Sequence, residues 1–158
     1  MEIYLLRHAI AEDRKPHGSD AARELTAEGR EKLRRVLERA RKAEVQPSLI
    51  LTSPLVRAVQ TASMAAAALG CDTVVKTPAL EPDSSPQLVW EQIRERRNER
   101  AVLLAGHEPL LSAAVAWMLG ASSLAVDMKK SALVRLDCAR IDAAPKGVLK
   151  WMLTPGVS

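Results

Sequence analysis

Three times in this chain a short apolar run ends in a turn that carries a basic side chain and opens toward a helix. Ile3-Tyr4-Leu5-Leu6 runs into Arg7-His8, and Leu49-Ile50-Leu51-Thr52 into Ser53-Pro54-Leu55-Val56-Arg57. Ala101-Val102-Leu103-Leu104-Ala105 runs into Gly106-His107-Glu108-Pro109. Short, near-continuous apolar runs suit strands buried on both faces of a parallel sheet. In such sheets ligands bind beyond the carboxyl ends of the strands. The pattern therefore places three basic turns at one sheet edge.

The segments between these runs read as covering helices. Leu25-Thr26 opens the first, with Thr26 as N-cap and Glu28 in the first turn. Leu33, Val36, Leu37 and Ala40 form its buried stripe, while Glu28–Lys32, Glu31–Arg35 and Glu38–Lys42 pair four apart on the solvent side. The second begins with Ser53 as N-cap and Pro54 at the first helical position, and Gly70 stops it. Thr73–Lys76 is a short strand, and Leu80–Pro86 a loop because it holds two further prolines besides Glu81 and Asp83. A helix with Leu88, Val89 and Ile93 inward follows, and after Pro109 an apolar helix spans Leu110–Leu119. Ala132–Leu136 and Val148–Met152 alternate as strands joined by a turn near Pro145-Lys146-Gly147. The order β-α-β-α-β-α-β-α-β-β predicts a three-layer α/β/α fold with a mainly parallel central sheet, in a single domain over residues 1–158.

Composition narrows the function classes. Three Trp, one Tyr and no Phe leave little for stacking nucleic-acid bases, so no nucleic-acid partner is expected. A net charge of +4 favours anionic ligands. Cys71 and Cys138 fit no metal or redox spacing and suit a reducing, cytoplasmic setting. There is no long apolar segment, so neither a signal peptide nor a membrane partner is expected.

Arg7, His8, Arg57 and His107 meet at the predicted edge without a carboxylate cluster. A divalent metal would need more ligands and would be repelled by the arginines, so no metal or cofactor is expected. Phosphate fits: arginine forks match its oxygens, and phosphoryl transfer is largely positioning and charge stabilisation. Arg57, in a first helical turn, is locally disfavoured by the helix dipole, and a bound anion would offset that. A neutral imidazole can serve as nucleophile through a phosphohistidine. The residues alone also allow a strand ending in solvated basic side chains.

Leu-Arg-His at 6–8, Leu-Thr-Ala-Glu-Gly at 25–29, Ser-Pro-Leu-Val-Arg-Ala-Val-Gln-Thr-Ala at 53–62 and Gly-His-Glu-Pro at 106–109 stand in the order found in the histidine phosphatase superfamily, which the chain resembles along nearly its whole length. The superfamily is phosphoglycerate mutase-like in fold. The small size and the Leu-Thr-Pro at 153–155 resemble its SixA-type phosphohistidine phosphatase branch. The resemblance implies that His8 is the nucleophile, that Arg7 and Arg57 clamp the phosphoryl oxygens and that His107 donates to them. It also implies that Arg23 reaches the phosphate. Glu81 matches the loop that carries the general acid in larger relatives, with Asp83 and Glu108 as rivals. Ala9 stands where the superfamily has glycine. Ser53 reads as a helix cap rather than a ligand, and His17 as an exposed loop residue. The substrate implied is phosphohistidine in a protein. The alternatives are a broad phosphomonoesterase acting on small phosphate esters and a non-catalytic phosphate- or phosphopeptide-binding module.

Overall fold

The computed structural model describes residues 1–156. Its centre is a six-stranded sheet built from β1 (Glu2–Arg7), β2 (Leu49–Thr52), β3 (Val74–Lys76), β4 (Ala101–Gly106), β5 (Leu133–Cys138) and β6 (Gly147–Leu153). The strands lie in the order β3-β2-β4-β1-β5-β6. The first four run parallel, and β5 is antiparallel to both β1 and β6. Four longer helices cover the sheet: α1 (Ala27–Lys42), α2 (Val56–Leu69), α3 (Pro86–Arg94) and α4 (Leu110–Met118). This is the expected mainly parallel α/β/α arrangement.

The pleat of β1 divides the core. Ile3 and Leu5 pack with Val89, Trp90, Leu111 and Val115 of α3 and α4, while Tyr4 and Leu6 pack with Leu33, Leu37 and Ala62 of α1 and α2. All four β1 side chains are fully buried. At about 1.5–3 kcal/mol for each large apolar side chain removed from water, this strand anchors both layers. Among the described residues no helix is long and apolar enough to cross a membrane. Cys71 and Cys138 are both free and buried.

The start of α1 is pinned beside the end of β1. Thr26 caps it, its Oγ1 accepting from the Gly29 N–H at 2.9 Å, and the Thr26 N–H donates to the Ile10 carbonyl at 3.0 Å. A Cβ on Gly29 would lie 2.2 Å from that same carbonyl oxygen, so only glycine allows the approach. The three expected ion pairs on α1 form at 3.0, 3.3 and 3.2 Å. At the far end of α2, Gly70 takes the left-handed conformation that stops the helix (φ +69°).

Three local expectations need correction. Ser53 is not an N-cap and Pro54 is not the first helical residue. The helix begins at Val56 with Leu55 at the cap position, and Ser53 Oγ instead accepts from the Leu55 N–H at 3.2 Å. The three residues Ser53, Pro54 and Leu55 turn the chain between the end of β2 and the first helical residue. Leu88 does not face inward, being 54% exposed, and Trp90 takes its place beside Val89 and Ile93. A stripe centred on 89 and 93 takes in 90 and leaves 88 on the flank. Trp90 is buried without an orphaned donor because its Nε1–H reaches the Asp142 carbonyl at 2.9 Å. The expected loop at 80–86 is shorter than predicted. Leu80 closes a 3-10 turn over Pro78–Leu80, and Pro86 opens α3 behind the cap Ser85.

Candidate active site

Strand register assembles the site. Arg7 of β1 lies opposite Gly106 of β4, and Thr52 of β2 opposite Ala105. One residue further along each strand stand His8, His107 and Ser53. The His8 N–H donates to the Gly106 carbonyl and the Ser53 N–H to the Ala105 carbonyl, each at 3.0 Å, so pairing extends just past the strand ends. The imidazoles of His8 and His107 face each other with centroids 5.1 Å apart. Together with Arg7, Arg23, Arg57 and Lys130 they line a pocket of about 280 Å3, with Pro82 and Glu108 at its wall.

His8 is held in one tautomer. Its Nδ1 is 2.8 Å from the Ala9 carbonyl, which can only accept, so the proton sits on Nδ1 and the lone pair on Nε2. Burial, reinforced by Arg57, Arg7 and Lys130, pushes its pKa down to about 4 despite the opposing bond to Ala9. His107 is pushed down to about 3, chiefly by burial, then by His8 and Arg57. Both rings are thus neutral at neutral pH. His107 Nε2 lies 2.8 Å from Ser53 Oγ, a contact within a fully buried hydroxyl's reach.

The arginines are fixed from outside the pocket. Arg57, only 4% exposed, donates through Nη1 to the Asp20 carbonyl oxygen at 2.9 Å and through Nη2 to Asp20 Oδ2 at 3.3 Å. Arg23 donates through Nε and Nη2 to Asp20 Oδ1, each at 2.9 Å, and through Nη1 to the Glu12 carbonyl. Burial favours the neutral Asp20 carboxyl, but Arg57, Arg23 and Arg14 outweigh it and hold its pKa below the usual value. Arg7 Nη1 donates to the Met128 carbonyl at 2.8 Å. Among the described residues Arg7 Nε, Arg57 Nε and His107 Nδ1 are buried polar atoms without a hydrogen-bond partner. Unpaired buried nitrogens are costly and rare, and three around one pocket suit a site built for an anion.

The structure brings Arg7, His8, Arg23, Arg57 and His107 together. Glu81 is not among the residues that line the pocket: it ends the 3-10 turn just before the lining residue Pro82. Asp83 does not line it either. Glu108 does, with its Oε1 accepting from the Ser112 N–H at 2.7 Å at the start of α4. Sequence reading missed Asp20, Lys130 and the contact of Ser53 with His107. Asp20 could have been suspected from its position three residues before Arg23, the spacing of a local ion pair; Lys130 carries no such signal. Among the described residues no three His, Cys, Asp or Glu side chains converge as metal ligands.

Comparison with known proteins places this geometry. The family model described as the histidine phosphatase superfamily (branch 1) matches residues 3–81. An uncharacterised protein from Picosynechococcus sp. is 35% identical, the match covering 97% of this chain and 99% of the relative. The structure is similar to that of a proposed phosphohistidine phosphatase SixA from Agrobacterium tumefaciens, at 25% identity and TM-score 0.85, covering 98% and 97% of the two chains. It shares its fold with the protein histidine phosphatase SixA solved with tungstate, at 23% identity, TM-score 0.86 and 99% and 98% coverage. A mycobacterial glucosyl-3-phosphoglycerate phosphatase, 18% identical, has the same fold at TM-score 0.69, with 94% and 96% covered. The phosphoglycerate mutase-like fold, the matching family model and the SixA-type neighbours agree: this chain belongs to the histidine phosphatase superfamily, branch 1, and is a histidine phosphatase.

Proposed function

We propose that this enzyme removes the phosphoryl group from phosphohistidine in a cytoplasmic protein, through a covalent phosphohistidine on His8 and without a metal. The observation that carries the reading is a buried, neutral His8 whose Nδ1–H is committed to Ala9 while cations from Arg7, Arg23 and Arg57 line the same pocket. The lone pair on Nε2 is free to attack, and the guanidinium groups offset the charge on the phosphoryl oxygens. The charge a metal would otherwise supply is already present as arginine.

In the first step His8 Nε2 bonds to phosphorus and the substrate P–N bond breaks, its electron pair staying on the substrate nitrogen. The other nitrogen of that ring has taken up a proton, so the leaving group is a neutral imidazole. Water then attacks phosphorus, the bond to His8 breaks, and its pair returns to Nε2. Inorganic phosphate departs and one proton goes to solvent, balancing the one taken up. A P–N leaving group asks less of a general acid than an alkoxide. That agrees with a pocket in which, among the described residues, Glu108 is the one carboxylate residue of the lining, its Oε1 already accepting from the Ser112 N–H at the start of α4. On phosphate esters the acid is Glu81, which stands one residue before the lining residue Pro82.

The test is a single-turnover quench with phosphohistidine protein and, in parallel, an aryl phosphate. Acid-labile, base-stable phosphate on His8 and faster turnover of the phosphoprotein support the reading. Label from the aryl phosphate alone assigns small phosphate esters. Phosphate binding without label or turnover assigns a binding module. Folded His8→Ala protein that retains substantial activity removes His8 as the nucleophile.

A further inference from the structure

A second, larger cleft of about 640 Å3 adjoins the phosphate pocket and shares Arg7 and Lys130 with it. Ile10, two residues beyond His8, and Pro155, in the segment after β6, give it an apolar wall. That segment is tied to α1, since Arg39 Nη1 donates to the Thr154 carbonyl at 2.9 Å. Lys32 on α1 and Lys129 and Lys130 ahead of β5 supply its charge. Their aliphatic stems extend the apolar surface while the ammonium groups stay in water.

The charges are open to exchange. Lys32 pairs with Glu28 at 3.0 Å and Lys129 with Asp127 at 2.9 Å, but all four side chains are 45% or more exposed. Ion pairs of that kind contribute little and yield to a competing carboxylate. Among the described residues Lys130 makes no ion pair. A small phosphate ester would fill only the inner pocket. A phosphorylated polypeptide must also leave it, and the shared Arg7 and Lys130 make the lysine-edged cleft a direct continuation.

We propose, resting on the phosphohistidine reading above, that this cleft docks an acidic, amphipathic segment flanking the phosphorylated residue of the protein substrate. Apolar side chains of the segment lie against Ile10 and Pro155. Its carboxylates pair with Lys32, Lys129 and Lys130. Residues within one helical turn of the phosphohistidine, about 5 Å along an axis, are near enough to enter the cleft.

Two synthetic phosphohistidine peptides test this, one flanked by Glu and Leu and the other by Lys and Leu, with an aryl phosphate as the small substrate. Wild-type enzyme should prefer the acidic peptide in kcat/KM by about tenfold at low salt, the preference fading as salt rises. The exposed double variant Lys32→Glu/Lys129→Glu should lose that preference through KM and keep its aryl phosphate turnover. Lys42→Glu/Lys146→Glu makes the same charge change at exposed positions that do not line the cleft and should behave as wild type. Equal turnover of the two peptides by wild type, or a preference that survives in the first variant, overturns the docking proposal alone. So does an equal loss in the control variant, which would mean bulk charge, or a wild-type dimer that the first variant dissociates, which would assign the cleft to a second copy. Turnover of the aryl phosphate with neither peptide accepted overturns the phosphohistidine reading and the docking with it.

Discussion

Asp20 holds Arg57 at two points: its carbonyl oxygen accepts from Nη1 and its Oδ2 from Nη2. The same carboxylate accepts from Arg23 and pairs with Arg14 at 3.2 Å. One acid in a surface turn therefore orients two pocket arginines. Because Arg57 is buried and the Asp20 side chain one-third exposed, the pair lies between the surface and buried limits. Asp20→Ala is expected to lower stability by about 1–2 kcal/mol. Inorganic phosphate then restores the missing counter-charge, so its upward shift of Tm should be larger in the variant than in wild type. The catalytic cost should fall on kcat more than on KM, because Arg57 is misplaced rather than lost. A phosphate-induced shift in thermal melts no larger in the variant than in wild type contradicts this role.

A buried hydroxyl joins the nucleophile's turn to the helix that carries Arg57. The Ala9 N–H donates to Thr61 Oγ1 at 3.1 Å, and that hydroxyl donates to the Arg57 carbonyl at 2.7 Å. Ala9 and Thr61 are both fully buried. Thr61→Val keeps the shape and strands the Ala9 N–H, which should cost about 1–3 kcal/mol. Thr61→Ser keeps the hydrogen bonds and should cost less and retain more activity. Chemical denaturation and kcat of the two variants check this; equal losses would mean that the methyl group, not the hydroxyl, is what matters.

Gly29→Ala sets helix propensity against contact distance. Alanine should favour α1 by about 1 kcal/mol on propensity alone. The added Cβ would meet the Ile10 carbonyl oxygen at 2.2 Å and the Ile10 nitrogen at 2.9 Å, both backbone atoms with little room to move. Overpacking of this kind costs about 1–3 kcal/mol and should win. Since Ile10 follows His8 by two residues, turnover should fall along with the denaturation midpoint. A stabilised Gly29→Ala protein would show that α1 can withdraw from the turn without penalty.

The sheet and the basic edge were legible because strand ends coincide with changes in residue chemistry. The apolar runs stop at Arg7, Thr52 and Gly106, and small or turn-forming residues follow. Nothing in those runs says that β4 lies between β1 and β2, an order set by packing across the whole sheet. Ser53 misleads because a serine before proline ordinarily caps a helix, whereas here its N–H continues the β2–β4 pairing onto the Ala105 carbonyl and its hydroxyl lies against His107. Leu88 misleads because its apolar character alone suggests burial, whereas the larger Trp90 fills the inward position. Asp20 and Lys130 were hidden for a plainer reason. A charged side chain in a polar loop looks solvated until the fold shows what it faces.

The two buried imidazoles give the protein a defined acid sensitivity. An unfolded histidine binds its proton near pH 6.5, whereas folded His8 and His107 resist protonation down to about 4 and about 3. Between those limits the unfolded chain holds more protons, so stability rises with pH. The contribution is fully present above the unfolded value, is lost as pH falls from about 6.5 toward the folded values, and does not change further below them. Denaturant midpoints should therefore drop between about pH 7.5 and about pH 5. His8→Gln/His107→Gln removes both titrating groups and should flatten that dependence. Phosphate bound beside the rings favours their protonated forms and should flatten it in the wild-type protein too. A pH dependence unchanged in the double variant would place the acid sensitivity elsewhere in the chain.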